Sequence, residues 1–421
     1  MDSTTLETGG TTTSETRDET RDETRETPGA AFQLLGADFY GFESRLSPAE
    51  KELLVGVRAF LEEQVRPIAD EYWERAEFPR QLIPGIHATG VIGLSWPETR
   101  AIENSSVFRG WVALEFGRVD ASIATYVGVQ NGLVMGTVGV AGSEEQRAEW
   151  LPKLASGEVI GAFGLTEPHS GSDSAQGLRT TARREGDTWI LDGAKRWIGN
   201  ATFSDVTVIW AKDVADGQVK GFLVPTSTPG YRATAIARKQ SLRTVQNADI
   251  VLEGVRVPES LRLQGANSFR DTAKVLRLTR AEVAWQAIGV AIGAYDAALR
   301  YARERVQFGK PLVGHQLVQD LLVKSIGNIT ASIALATRVS EMLDAGEQRD
   351  EHSALAKAYT TARMRETVAW CREVMGGNGI VLDYGVARFF ADAEALYSYE
   401  GTREMNTLIV GRAITGSAAF V

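Results

Sequence analysis

Thr180-Thr181-Ala182-Arg183-Arg184-Glu185-Gly186-Asp187-Thr188-Trp189-Ile190-Leu191 joins two short β-prone runs through Glu185-Gly186-Asp187, a hairpin signal. Similar runs follow at Val206–Trp210, Gly221–Val224 and Ile250–Val255, separated by turn residues. Together they predict a β-domain of roughly a hundred residues that begins near Gly161. Both flanks read as helix. Upstream, Ser47-Pro48-Ala49-Glu50 has the form of a capping box with proline at the first helical position. Leu53, Leu54, Val57, Phe60, Leu61 and Val65 follow at helical spacing, until Pro67 is expected to kink or end the helix. Downstream, Ile288, Ala291, Ile292, Tyr295, Ala298, Leu299 and Ala302 form one apolar stripe. Leu317, Leu321, Leu322, Ile326, Ile329, Ile333 and Ala336 form another, and antiparallel helices of that length make a bundle. Helices, then strands, then helices predict an α+β chain of sequential domains over residues 31–160, 161–273 and 274–421.

A chain of 421 residues is long enough for two or three such domains. Residues 1–30 stand apart: they are mostly Thr, Glu, Asp, Arg and Gly, with Arg-Asp-Glu-Thr at 17–20 and again at 21–24. So little apolar surface predicts a disordered, solubilising tail. A net charge of −9 without a basic cluster argues against a nucleic-acid partner. No run approaches the ~18 apolar residues of a membrane span. The start of the chain lacks the basic and apolar regions of a secretory signal, so no membrane partner and a cytoplasmic location are expected. The single cysteine, Cys371, leaves no intramolecular disulfide and no thiolate cluster, and its stripe with Val368 and Met375 predicts a buried thiol. His87, His169, His315 and His352 lack metal-ligand spacing, so no metal site is expected.

Four segments could carry chemistry. Gly164-Leu165-Thr166-Glu167-Pro168-His169-Ser170-Gly171-Ser172-Asp173 crowds glycine and hydroxyl residues at the mouth of a strand. It is either an ordinary turn or a cradle for a phosphate or a flavin edge. Lys195-Arg196-Trp197-Ile198-Gly199-Asn200 offers an indole that either packs in a core or faces a planar ring. In Arg305-Val306-Gln307-Phe308-Gly309-Lys310-Pro311-Leu312 the arginine is a helix C-terminal cation or a pyrophosphate ligand. Tyr399-Glu400-Gly401-Thr402 follows Gly376-Gly377-Asn378-Gly379 and precedes a helix over Met405–Ile409. Glu400 there is an exposed helix-start acid or a buried base; the residues alone leave both open.

In this order the four segments resemble the acyl-CoA dehydrogenase family, over about residue 45 to Phe420. Leu165-Thr166-Glu167-Pro168 with Gly171-Ser172-Asp173 resembles the family's first signature, and Tyr399-Glu400-Gly401-Thr402 its base segment. Within the family, Gly411-Arg412-Ala413-Ile414-Thr415-Gly416 resembles glutaryl-CoA dehydrogenase. Trp197-Ile198-Gly199-Asn200, Val245-Gln246-Asn247 and Val283-Ala284-Trp285-Gln286 are more similar to the short-chain acyl-CoA oxidase of plant peroxisomes.

The resemblance implies an N-terminal helical domain, a central β-barrel-like domain and a C-terminal four-helix bundle, assembled as a homotetramer around FAD. It implies that Phe163, Leu165, Thr166, Gly171 and Ser172 line the flavin or the thioester mouth, and that Trp197 stacks near the isoalloxazine with Gly199 beside it. Arg305, Gln307 and Phe308 would meet the FAD of an adjacent subunit, and Gly376, Gly377, Thr402 and Glu404 would lie near the adenosine part of FAD. Arg280, Tyr399 and Gly401 would contact substrate, with Glu400 the base that removes the α-proton of a short-chain acyl-CoA while hydride leaves for flavin N5. Glu167 reads as structural. Electrons would pass to an electron-transfer flavoprotein or, in an oxidase, to oxygen; a non-catalytic flavoprotein scaffold is the reading from another class. The ending Gly416-Ser417-Ala418-Ala419-Phe420-Val421 is not a Ser-Lys-Leu-type address, which favours the dehydrogenase. Three departures matter. Gly199 replaces a frequent threonine, and Gln176 stands where a small residue is expected. Ala124 occupies the place of the arginine that holds the far carboxylate of glutaryl-CoA, so a monocarboxylic substrate is expected.

Overall fold

The computed structural model describes residues 33–419, and the tail expected over 1–30 lies outside them. Its first part is helical: α1 (Pro48–Phe60), α2 (Arg66–Arg75), α3 (Ile83–Ala88), α4 (Ser106–Val119), α5 (Ala121–Gly128), α6 (Gly136–Ala141) and α7 (Glu144–Ser156). The capping box closes as the sequence predicts: Ser47 Oγ accepts from Glu50 N at 3.3 Å and Glu50 Oε2 from Ser47 N at 2.8 Å. Glu50 Oε1 also accepts from Ser105 N and Oγ, both at 2.8 Å, which ties the start of α1 to the start of α4.

Pro67 does not end its helix. The chain widens into a π turn over Leu61–Val65, where Arg66 N donates to Leu61 O, and helix resumes as α2. The wider turn accommodates a ring that has no N–H and would crowd the preceding turn of a regular helix. A second π stretch, Val129–Met135, joins α5 to α6. The stretch Ala121–Ala141 is apolar and long enough to span a membrane, which a count of consecutive apolar residues misses, but 72% of its most apolar window is buried in the protein. That is the environment of a core helix.

The sheet contains β1 (Gly161–Gly164), β2 (Thr181–Glu185), β3 (Thr188–Ile198), β4 (Val206–Asp213), β5 (Val219–Pro225), β6 (Tyr231–Ala235) and β7 (Ala248–Pro258), with the short α8 (Ser174–Gly177) after β1. Its order is β1-β4-β2-β3-β7-β6, with β5 on the other edge of β4. β1 and β2 run parallel to β4; the other pairs are antiparallel. The quoted hairpin is β2–β3, in register at Glu185–Thr188, and Gly186 takes φ 61° in its turn. Trp189, Leu191, Phe222, Val224, Ile250 and Val257 belong to a core of the sheet's own.

The C-terminal bundle is built from α9 (Phe269–Glu304), α10 (Gln316–Asp344), α11 (Asp350–Val374), α12 (Val386–Ser398) and α13 (Arg403–Thr415); the small hairpin β8 (Val306–Gln307) and β9 (Lys310–Pro311) follows α9. Its apolar residues share one core with the N-terminal helices. The expected α10 stripe holds from Leu321 onward, but Leu317, in the first turn of the helix, is 81% exposed. Cys371 is buried as expected, and burial pushes its thiol up to about 12. Arg388 of α12 ties the ends together: its guanidinium reaches Asp70 at 2.9 Å and Asp120 at 2.8 Å.

Glu167 has a structural environment. Its carboxylate accepts from Arg179 N at 2.7 Å and Thr180 N at 2.9 Å, and pairs with the fully buried Lys195 Nζ at 2.8 Å. Burial works against its charge, yet Lys195 and these donors hold its pKa below the usual carboxylate value. Replacing Lys195 by Met strands that carboxylate, and chemical denaturation is expected to show a loss of about 3–5 kcal/mol.

Candidate active site

Glu400 stands in the turn between α12 and α13, with φ 54°, followed by Gly401 at φ 88°. Two consecutive left-handed residues turn the Glu400 side chain back into a cavity of about 750 Å³ instead of along the start of α13. Among the described residues, seven other than glycine have positive φ, and three of them, Trp197, Leu242 and Glu400, line this cavity. Backbone strain gathered in this way marks functional sites.

Three things set the state of Glu400. Burial pushes its pKa above the ordinary carboxylate value. Thr279 of α9 donates from Oγ1 to Glu400 Oε2 at 2.8 Å, and the Arg280 and Lys357 charges favour the anion, but burial prevails. Lys357 of α11 also fixes the turn itself. Its buried ammonium donates to Tyr397 O at 3.1 Å, Tyr399 O at 2.6 Å and Gly401 O at 2.7 Å, so Glu400 is bracketed by two carbonyls bound to one cation. Asn406 Nδ2 adds a bond to Gly401 O at 2.9 Å. Burial lowers the Lys357 pKa to about 7, and the neighbouring Glu400 charge opposes that fall.

The opposite wall comes from the sheet and the loops leaving it. Phe163, Leu165, Thr166, Gly171, Ser172, Trp197 and Gly199 all line the cavity, as do Arg280, Tyr399, Gly401 and Thr402. Trp197 shows 51% of its surface although it is large and apolar. The Thr166 and Ser172 hydroxyls have no protein partner among the described residues. An open indole, apolar walls and hydroxyls free of protein partners fit a planar heterocycle with a polar edge. At Gly199 a Cβ would find its nearest neighbour, Val245 Cγ1, at 3.6 Å, so the missing threonine leaves free space rather than a clash.

Other expected residues lie elsewhere in the single chain. Arg305, Gln307 and Phe308 project into solvent at the β8–β9 hairpin, with Phe308 95% exposed. Gly376 and Gly377 are exposed past the end of α11, and Glu404 is exposed and paired with Arg403 at 2.7 Å. Gln176 is exposed on α8. Ala124 is buried beside the cavity but off its wall, its carbonyl accepting from Gln286 Nε2 at 3.3 Å. Sequence reasoning missed Thr279, Glu282, Gln286 and Lys357. The lone lysine in Ser353-Ala354-Leu355-Ala356-Lys357-Ala358 was the one available signal: a cation amid small apolar residues needs acceptors from elsewhere.

Three family models cover this architecture in sequence. They are acyl-CoA dehydrogenase, N-terminal domain over residues 47–158, middle domain over 162–255 and C-terminal domain over 269–415. This chain belongs to the acyl-CoA dehydrogenase family. It is 32% identical over 359 residues to 3-(aryl)acrylate reductase of Clostridium sporogenes, a match covering 84% of this chain and 95% of that one. The crystal structure of glutaryl-CoA dehydrogenase from Mycobacterium smegmatis superposes with a TM-score of 0.88 at 39% identity, covering 92% of this chain and 100% of the other. A glutaryl-CoA dehydrogenase from the same organism in complex with FADH2 gives 0.87 at 36% identity, covering 91% and 98%. As a member of this family the protein is an FAD-dependent oxidoreductase.

The Lys357 clamp has a kinetic consequence. Lys357→Met removes three donors from the Glu400 turn, and a small misplacement of a reacting group costs about 10²-fold in rate. Steady-state kinetics of the flavin-loaded variant are expected to show that loss in kcat, with little change in KM. An unchanged kcat would mean that the turn holds itself.

Proposed function

We propose that this acyl-CoA dehydrogenase oxidises the Cα–Cβ bond of a short, non-acidic acyl-CoA, with Glu400 taking the α-proton and an electron-transfer flavoprotein receiving the electrons. One observation carries the reading: the Glu400 carboxylate faces the same cavity as the open Trp197 indole, on a turn fixed from behind by Lys357.

An α-hydrogen next to a thioester is weakly acidic, so its removal needs a base with a raised pKa and donors where negative charge builds up on the thioester oxygen. Burial supplies the first at Glu400. The Glu400 backbone N–H, in a turn whose carbonyls are already occupied, is the protein donor in place for the second. Thr279 orients one carboxylate oxygen and leaves the other free for the proton. Bound FAD supplies the acceptor for the hydride that leaves Cβ.

The expected preference for a monocarboxylic acyl group gains support from the wall. Among the described residues the cavity cations are Arg280, next to Glu400, and Lys239, whose Nζ is taken up by Leu242 O, Val245 O and Asn247 Oδ1. Glu282 and Glu394 also line the cavity, and the Glu282 carboxyl would repel a distal carboxylate. A homotetramer fits the exposed Phe308, which a second copy of the chain would cover while completing the FAD site.

Glu400→Gln is expected to keep the yellow cofactor and lose ~10² or more in turnover. Because its raised pKa makes Glu400 bind a proton more readily, the wild-type rate falls as pH drops, and the acid limb of kcat/KM is expected above 4.5. Near-normal turnover by the Gln variant would move the base elsewhere. Butyryl-CoA is expected to turn over well and glutaryl-CoA poorly; equal rates reject the substrate assignment. Oxygen uptake without another acceptor distinguishes an oxidase, and failure of any acyl-CoA to bleach the flavin anaerobically would leave the scaffold reading.

A further inference from the structure

Besides Glu394, which pairs with Arg365 at 2.8 Å, the cavity wall carries a carboxyl group, Glu282, for which the reaction has no use. Glu282 lies on α9 one turn beyond Thr279, so Thr279, Glu282, Val283 and Gln286 line the wall along one helical face. Its side chain fills a notch beside the π stretch. A Cβ added at Gly128 would come within 3.1 Å of Glu282 Oε1, and one added at Gly132 within 2.7 Å of Oε2. Those two glycines leave the room that the carboxyl occupies.

The group is poorly satisfied. Among the described residues its one hydrogen bond is a long contact of 3.4 Å from Gln286 Nε2, and the Arg109 charge favours its anion from a distance without forming an ion pair. Gln286 has little more to offer, since its Nε2 also reaches Ala124 O at 3.3 Å and its Oε1 accepts from the Tyr399 hydroxyl at 2.9 Å. Burial and the nearby Glu400 charge push Glu282 up to about 7. A half-buried carboxyl with acceptor capacity to spare gains from a donor brought to it through the cavity. The cavity is the open side.

We infer that Glu282 is a specificity residue that receives a hydrogen-bond donor, a hydroxyl or an ammonium, carried at the far end of the acyl group. The inference rests on the acyl-CoA reading above and names the class of acyl chain. Three residues along α9 are about 4.5 Å of rise, roughly the reach of three or four carbon–carbon bonds from the carbon opposite Glu400. A substituent on the fifth carbon of a valeryl group therefore falls at Glu282.

The holoenzyme and its Glu282→Val and Glu282→Gln variants are compared with valeryl-CoA, 5-hydroxyvaleryl-CoA and 5-aminovaleryl-CoA, using an artificial electron acceptor. In the wild type, kcat/KM for at least one donor-bearing substrate is expected to exceed that for valeryl-CoA by about ten-fold, as for a hydrogen bond to an acceptor that can be charged. Glu282→Val is expected to erase the difference, and the isosteric Glu282→Gln keeps the test valid if the valine variant does not fold. A preference for the amine that Glu282→Gln abolishes assigns a cation; a preference for the alcohol that survives it assigns a neutral donor. Valeryl-CoA equalling both in the wild type, or a preference that persists in Glu282→Val, overturns the inference while leaving the dehydrogenase intact. If none of the three thioesters bleaches the flavin anaerobically, the acyl-CoA reading fails and this inference fails with it.

Discussion

One buried ammonium organises the reactive end of this protein. Lys357 lies within the C-terminal bundle, where an unsolvated cation is costly, and the chain meets that cost with three backbone carbonyls from the Tyr397–Gly401 turn. The carbonyls orient toward the cation, and the Glu400 side chain is left on the cavity side. A left-handed glutamate is conformationally unfavourable by itself; here the ion–dipole contacts on either side hold it. Charge, turn geometry and side-chain direction are thus one constraint.

Around that constraint the cavity draws on all parts of the described chain. The N-terminal helices contribute Thr125, Gly128, Val129 and Leu133, the sheet and its loops contribute Phe163 through Trp197, and the bundle contributes Thr279 through Gln286 and the Glu400 turn. The second π stretch does more than carry wall residues. Gln130 accepts from Gly161 N at 3.0 Å and donates to Gly161 O at 2.8 Å, which fixes the first strand to the helices. Arg388, with Asp70 and Asp120, performs the same service between the bundle and the N-terminal helices. Such buried polar contacts add little net stability, but few alternative packings satisfy them all.

The places where the fold departs from the pattern of its sequence have local causes. Pro67 was a reasonable helix end, and a single widened turn accommodated it. Leu317 matches the apolar period, yet the first turn of its helix leaves it 81% exposed. The strand Tyr231–Ala235 has only a weak alternation and owes its place to pairing with Ala248–Leu252. The hairpin at Gly186 and the capping box at Ser47 were legible because each depends on a few adjacent residues.

The sequence by itself determined the order of helix, sheet and helix, the family resemblance, and the set of segments in which chemistry could lie, since periodicity, caps and turn residues act over a few positions. It left Glu400 between an exposed acid and a buried base, and it gave no role to Thr279, Glu282, Gln286 or Lys357. Tertiary structure decided those points. Burial, desolvation and the partner of a charged group depend on residues far apart in the chain: Thr279 meets Glu400 across 121 positions, and Lys357 meets Gly401 across 44. No local pattern encodes such a meeting; only the packed core brings the two ends together.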